Sequence, residues 1–329
     1  MDVGSNTVHL VAVNASQGGR PAPMSDWKTT LKLVEYLDAS GAIAETGVRK
    51  LVSAVGEAVE LAQRLGCDEL MSFATSAVRS ATNSDDVLAQ VERETGVRLE
   101  VLSGKDEARL TFLAVRRWYG WSAGRITNLD IGGGSLEIST GIDEEPDAAF
   151  SLDLGAARLT HQWFDTDPPA RKKINVLRDF IDAELGDVAQ QVNAYGPARL
   201  AVGTSKTFRT LARLTGSAPS SAGPFVTRDL TAPGLRQLIA FISRMTAADR
   251  AELEGVSSDR SHQIVAGALV AEAAMRALNI EQLEICPWES YFDARNRVLC
   301  QKKPQKEISR RHERETTHRC RTAGTFRQS

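Results

Sequence analysis

The chain has 329 residues, 42% of them hydrophobic and 25% charged, with a formal net charge of −2. That length predicts about two domains, each able to bury a core, and the near-neutral balance excludes a global electrostatic footprint for nucleic acid or a membrane surface. No stretch approaches the roughly 20 apolar residues of a membrane span, no basic-then-apolar leader opens the chain, and Cys67, Cys286, Cys300 and Cys320 make no Cys-x-x-Cys pair, so a reduced, cytoplasmic protein is expected.

Asp2-Val3-Gly4-Ser5-Asn6-Thr7 comes first: an acid, a glycine and small polar residues, followed by Val8, Leu10, Val11 and Val13 in a strand-like run. Gly18-Gly19, Pro21 and Pro23 mark a turn. Between Gly47 and Gly66, Leu51, Val55, Val59 and Leu61 form a helical apolar face, and Asp68 to Ala74 reads as a buried strand. Thr75-Ser76-Ala77-Val78-Arg79 follows at that strand's C-terminal end, where α/β folds place ligands. Arg79 is a candidate phosphate clamp, since a guanidinium grips two oxygens at once. Asn83 or Ser84 is predicted to cap a helix through Val87, Leu88 and Val91. Val97 to Leu102 reads as a strand. Ser103 and Gly104 open the next helix, with Asp106 and Glu107 in its first turn, where acids suit the helix dipole.

The second half begins near Trp121. Ile126 to Leu129 is an apolar run, Asp130-Ile131-Gly132-Gly133-Gly134-Ser135-Leu136-Glu137 follows, and the alternation around Leu136 and Ile138 reads as a second strand. Three glycines make a tight turn and leave backbone N–H groups bare for an anionic oxygen. An acid at each end is explained if a carboxylate holds a cation that offsets phosphate charge. The pattern repeats the one at Asp2 to Thr7, and neither turn is a Walker A loop or a dinucleotide fingerprint. Two such hairpins, one per half, predict two similar domains facing each other across a cleft.

Further on, Ala148 to Leu152 reads as a strand, and Asp167-Pro168-Pro169 starts a helix with Ile174, Leu177, Phe180, Ile181 and Leu185 as its stripe. Leu200-Ala201-Val202 is a strand, and Gly203-Thr204-Ser205-Lys206-Thr207 opens a helix, offering N–H groups and a dipole to an anion. Lys206 and Arg209 are candidates for holding an anionic tail. Ala212 to Arg228 reads mostly as loop, Leu235 to Met245 and Asp259 to Leu278 as helices, and Ile280 to Cys286 as the last strand. Residues 289–329 carry eight arginines and three lysines against five acids, with few aliphatics, and are predicted to be disordered.

Jointly, Asp2–Thr7, Ala74–Arg79, Gly104–Leu110, Asp130–Glu137, Gly203–Lys206 and Gly255–Gly267 resemble the exopolyphosphatase / guanosine pentaphosphate phosphatase family, within the actin-like, sugar kinase and Hsp70 superfamily. The resemblance runs from Asp2 to about Trp288 and is nearest to short, two-domain actinobacterial-type members. It implies an α/β fold of two actin-like (ribonuclease H-like) domains, 1–120 and 121–288, flanking a phosphate-binding cleft, with 289–329 as an unmatched basic tail. Family members carry a few apolar residues before the first motif; here Met1 stands against Asp2, so either a missing opening strand or a misassigned start is expected. The resemblance also implies Glu107 as catalytic base, assisted by Arg79. Phosphate oxygens would sit on Gly4, Ser5, Asn6 and Thr7, on Gly132, Gly133, Gly134 and Ser135, and on Gly203, Thr204, Ser205 and Lys206. A divalent ion, magnesium or manganese, would be held by Asp130, Glu137 and Asp2. A homodimer is implied as well, with no nucleic-acid or membrane partner.

The expected reaction is metal-dependent hydrolysis of the terminal phosphate of inorganic polyphosphate, with no covalent intermediate. A guanosine pentaphosphate 5′-phosphatase would use the same machinery, and the sequence does not separate the two. An actin-like-fold kinase is disfavoured, because Gly203–Lys206 has one glycine and a lysine where related kinases carry paired glycines around adenosine. A non-catalytic polyphosphate or nucleotide-binding regulator is the remaining reading.

Overall fold

The first motif folds as the tip of an antiparallel hairpin. Strands β1 (Asp2–Val3) and β2 (Thr7–Asn14) pair through Asp2–His9 and Val3–Val8, and β3 (Ala22–Thr30) continues the meander. These positions come from a computed structural model that describes residues 1–14 and 22–287, which fall within one compact unit. The predicted turn at Gly18-Gly19 and the basic tail at 289–329 lie outside the described residues.

Helix α1 (Glu45–Arg64) buries Leu51 and Val55, as predicted, together with Ala58 in the core of the first sheet, while Val59 and Leu61 are half-buried against it. Strand β4 (Phe73–Ala74) runs parallel to β1 and leads into α2 (Ser76–Arg79) and α3 (Ser84–Thr95). Strand β5 (Glu100–Val101) runs parallel to β4 and completes the order β3-β2-β1-β4-β5. The opening strand, expected to be missing, is a two-residue stub. It is tied down by the Met1 amine, which donates to the Met71 carbonyl at 2.6 Å. The strands read over 68–74 and 97–102 shrink to two residues each. Only Phe73 and Ala74 find ladder partners, Asp2 and Val3 on one side and Glu100 and Val101 on the other. Asn83 leaves α3 uncapped, because its amide is bonded both ways to the Ile43 backbone, at 2.9 and 3.0 Å.

Helix α4 (Gly104–Tyr119) is capped by Ser103, whose hydroxyl accepts the Asp106 N–H at 3.1 Å. Strands β6 (Ile126–Ile131), β7 (Leu136–Gly141) and β8 (Ala148–Leu152) then repeat the meander. Helices α5 (Ala156–Trp163) and α6 (Arg171–Asn193) lead to β9 (Leu200–Gly203), parallel to β6. After them come α7 (Lys206–Leu214), β10 (Asp229–Thr231), α8 (Ala232–Ile242), α9 (Ala247–Ala251), α10 (Ile264–Ala277) and β11 (Gln282–Ile285). The second sheet has the order β10-β11-β9-β6-β7-β8. Both sheets thus follow one plan: an antiparallel three-strand meander whose first strand is flanked by parallel strands.

Ile174, Leu177, Ile181 and Leu185 form the buried stripe of α6, packed with the Ala-rich α10. That helix starts at Arg171 rather than at the prolines. Asp167 instead accepts the Ala247 N–H at 2.6 Å and pairs with Arg250 at 2.9 Å. Helix α4 lies on β7 and β8, and its Phe112 and Val115 share a core with Ile126, Val202 and Cys286. The first sheet's own buried core draws on residues Met1 to Leu99. Among the described residues no helix is long and apolar enough to cross a membrane.

Candidate active site

Two turns of identical closure meet. In the first, the Gly4 N–H donates to the Thr7 carbonyl at 2.9 Å; in the second, the Gly132 N–H donates to the Ser135 carbonyl, also at 2.9 Å. Each turn is preceded by an acid two residues upstream, Asp2 and Asp130. The turns touch because glycine leaves room. A methyl on Gly133 would stand 2.6 Å from Asn6 Nδ2 and 2.9 Å from Ser5 Cβ, and one on Gly134 would stand 2.5 Å from Ser76 Oγ. Ser5 and Ser76 share a hydrogen bond of 2.9 Å between their hydroxyls.

The N-terminus of α5 sits behind the second turn. The Ala156 and Arg158 N–H groups donate to the Gly132 and Gly133 carbonyls at 3.0 and 2.9 Å. In a trans peptide the N–H points opposite its C=O, so the Gly133 and Gly134 amides face away from α5. From the end of β9, Thr204 Oγ1 donates to Asp130 Oδ2 at 2.7 Å. Ser205 Oγ accepts the Ile131 N–H at 3.2 Å and caps α7 by accepting the Phe208 N–H.

A cavity of about 180 Å³ opens between these elements. Its wall includes Gly4, Ser5, Asn6 and Thr7 from one turn, Gly132, Gly133 and Ser135 from the other, and Thr204, Ser205 and Lys206 from the start of α7. Asp2, Asp130 and Glu107 line it too. Four residues singled out in the sequence stand behind that wall. Gly134 packs under Ser76, and Gly203 lies in β9 against Leu283 and Phe208. Glu137, 2% exposed, accepts from Ser151 Oγ at 2.8 Å. Arg79 is turned toward Glu107: its Nη1 donates to the Leu102 carbonyl at 2.8 Å and to Glu107 Oε2 at 3.1 Å. Asp106 and Arg109 are occupied outside the cavity, Arg109 with Glu145 at 2.7 Å.

Two cations that sequence reading passed over complete the wall. Lys28 comes from β3, and Arg260 from the short turn Ser258–Arg260. Lys28 carries no motif, and Arg260 lies within the matched stretch Gly255–Gly267 without being singled out there; the folded sheet and turn bring both to the cavity. With Lys206 and Arg209 they form a cationic group beside the acids. Burial pushes Lys206 down to about 8, and the charges of Arg260, Lys28 and Arg209 add to it. Lys28 is lowered in the same way, by burial and then by Arg260 and Arg209.

The acids shift the opposite way. Burial pushes the Glu107 carboxyl up to about 7 against the pull of Arg79, and the charges of Asp2 and Asp130 push with it. Burial also raises Asp2. It raises Asp130 too, where Thr204 and Arg209 pull back and Asp2 pushes up. Glu137 stands well above the usual carboxylate range, through burial and the neighbouring Glu107 charge. Among the described residues no three His, Cys, Asp or Glu side chains converge into a ready metal cage. Two half-buried, mutually repelling carboxylates on the strands that lead into the facing turns nevertheless suit a hard divalent cation, which uses one or two carboxylates and keeps waters and phosphate oxygens for the rest.

The sequence profile of the Ppx/GppA phosphatase family matches residues 11–291. The chain is 66% identical over 288 residues to Exopolyphosphatase 1 of Mycobacterium tuberculosis, spanning 88% of this chain and 84% of the relative. It is 65% identical to Exopolyphosphatase 1 of Mycobacterium leprae, spanning 88% of this chain and 85% of that one. The fold matches the crystal structure of an exopolyphosphatase from Cytophaga hutchinsonii with a TM-score of 0.81, at 21% identity, over 91% of this chain and 96% of that one.

Proposed function

We propose, since this chain belongs to the Ppx/GppA phosphatase family, that it is an exopolyphosphatase, releasing orthophosphate from the end of inorganic polyphosphate. The observation that carries the reading is the pair of identically closed turns facing one cavity, with carboxylates and cations grouped in its wall. A phosphoanhydride hydrolase needs charge neutralisation, an in-line water and a group to orient that water.

Amides of Ser5 to Thr7 and of Gly133 to Ser135 hold the terminal phosphate, while the Gly4 and Gly132 N–H groups close the turns. Gly134 and Gly203 serve by letting the turns and β9 pack closely. The helix start at Thr204, Ser205 and Lys206, with Lys28, Arg209 and Arg260, holds the following phosphates as a run of negative charge. Glu107 accepts the proton of the attacking water; a carboxyl near 7 is well matched to that task. Its oxygen attacks the terminal phosphorus while the bridging oxygen leaves with the shortened chain. Arg79 orients Glu107 through the 3.1 Å pair. Asp2 and Asp130 would hold a magnesium or manganese ion, with Glu137 behind them, and that ion would neutralise phosphate charge when bound.

Guanosine pentaphosphate would be cut by the same groups. Polyphosphate is favoured because the relatives at 65–66% identity over most of the chain are exopolyphosphatases. The test is phosphate release with magnesium from polyphosphate and guanosine pentaphosphate in parallel, for the unmodified chain and Glu107→Gln. Release from polyphosphate, reduced at least a hundredfold by the substitution, is the expected result. Release untouched by it would sink Glu107 as the base, and binding without release would leave a regulator.

A further inference from the structure

A row of three side chains crosses the second sheet beside the base. The strand register pairs Asp130 with Glu137 and Glu137 with Ser151. One residue from each of β6, β7 and β8 therefore stands side by side on one face. Ser151 donates to Glu137 Oε1 at 2.8 Å. It also meets the helix that carries Glu107. A methyl added at Gly104, the first residue of α4, would overlap Cβ and Oγ of Ser151 and stand 3.3 Å from Arg79 Nη2. The other end of α4 is fixed separately. The buried Arg116 donates to the carbonyls of Gly120, Gly124 and Gly141, at 3.1, 2.8 and 2.9 Å. With that end pinned, the Gly104–Ser151 contact sets how closely the first turn of α4 approaches the sheet, and Glu107 is in that turn.

We infer that Ser151 is a positioning residue for the hydrolytic reaction. Its hydroxyl orients Glu137, and its Cβ, seated against Gly104, fixes the height of Glu107 over the row of acids. The inference rests on the reading of the site as a phosphoanhydride hydrolase. Neither Gly104 nor Ser151 lines the cavity, so both act on the working groups rather than on substrate. The hydroxyl and the Cβ have separable tasks. Ser151→Ala keeps the Cβ and removes the hydrogen bond. Gly104→Ala keeps the bond and forces the seam apart. Ser151→Gly removes both bond and Cβ, and makes room for a methyl at 104.

The experiment measures kcat and KM for phosphate release from polyphosphate with magnesium, with a thermal melt of each protein. The set is the unmodified chain, Glu107→Gln, Ser151→Ala, Ser151→Gly, Gly104→Ala and the double variant Gly104→Ala/Ser151→Gly. Ser151→Ala is expected to lower kcat about tenfold with KM little changed, the loss of one hydrogen bond to a working carboxyl, and Ser151→Gly to lower it further, because the seat of α4 goes with the Cβ. Gly104→Ala is expected to lower it about a hundredfold, the effect of a misplacement near one ångström. The double variant, whose added methyl at 104 fills the space left by the Ser151 Cβ, should match Ser151→Ala, recovering about tenfold of what Gly104→Ala lost. Wild-type kcat in Ser151→Ala and Ser151→Gly would overturn the inference, as would a Gly104→Ala defect that Ser151→Gly does not relieve. If Gly104→Ala does not fold, the two Ser151 variants decide alone. Release that survives Glu107→Gln overturns the base assignment and leaves the Ser151 comparison readable. An unmodified chain that releases no phosphate overturns the hydrolase reading and this inference with it.

Discussion

Two titrating side chains line one cavity, Glu107 pushed up to about 7 and Lys206 pushed down to about 8. As a base, Glu107 works only when ionised, so kcat/KM should rise with pH through about 7. As a phosphate ligand, Lys206 works only when charged, so kcat/KM should fall above about 8. A narrow bell is therefore expected for the free enzyme, and its rising limb should vanish in any residual activity of Glu107→Gln. A cation on Asp2 and Asp130 would cancel the repulsion that helps raise Glu107, so the rising limb should move to lower pH as magnesium is increased. A rising limb that ignores magnesium would break that link. At this scale Asp2, Asp130 and the small residues of the turns were legible because one motif occurs twice, whereas Glu107 was singled out by the family resemblance alone and Glu137 stands behind the wall. Lys28 and Arg260 were not legible, because a single cation on a strand or in a turn looks like any solvated charge until the backbone orients it. Arg79 was legible as a cation but not in its direction, which the Leu102 carbonyl and Glu107 decide together.

The two turns are the elements most plainly written in the sequence, and the structure adds why the second has three glycines. Gly132 starts the turn, while Gly133 and Gly134 let it press on Ser5, Asn6 and Ser76. Gly133→Ala must push Ser5 Cβ away, and overpacking of that kind costs about 1–3 kcal/mol. Its expected signature is a KM for polyphosphate raised about tenfold together with a lower melting temperature, measured by phosphate release and calorimetry. An unchanged KM would mean that the two turns grip substrate independently. Strand lengths were less legible. Hydrophobic runs at 68–74 and 97–102 read as full strands, yet the number of residues that can pair is set by a neighbour distant in sequence. The start of α6 misled for a related reason: Asp167 is engaged by Ala247 and Arg250, so the helix waits until Arg171.

Across the whole molecule, the repeated sheet plan was foreseeable from two copies of one motif. The seat of α4 was not. Its sequence neighbours lie in the first sheet, but its apolar face fits Ile126, Val202 and Cys286 of the second. The two turns are also braced differently from behind. The Ser5 and Asn6 carbonyls of the first accept from the Leu31, Lys32 and Leu33 N–H groups just after β3, whereas the Gly132 and Gly133 carbonyls of the second accept from the start of α5. Opening either turn must break those bonds. Added polyphosphate should therefore slow amide exchange in both turns together, and slowing in one alone would mean that substrate is held from one side. The cleft grips as two jaws, each bolted from behind by bonds that substrate never touches.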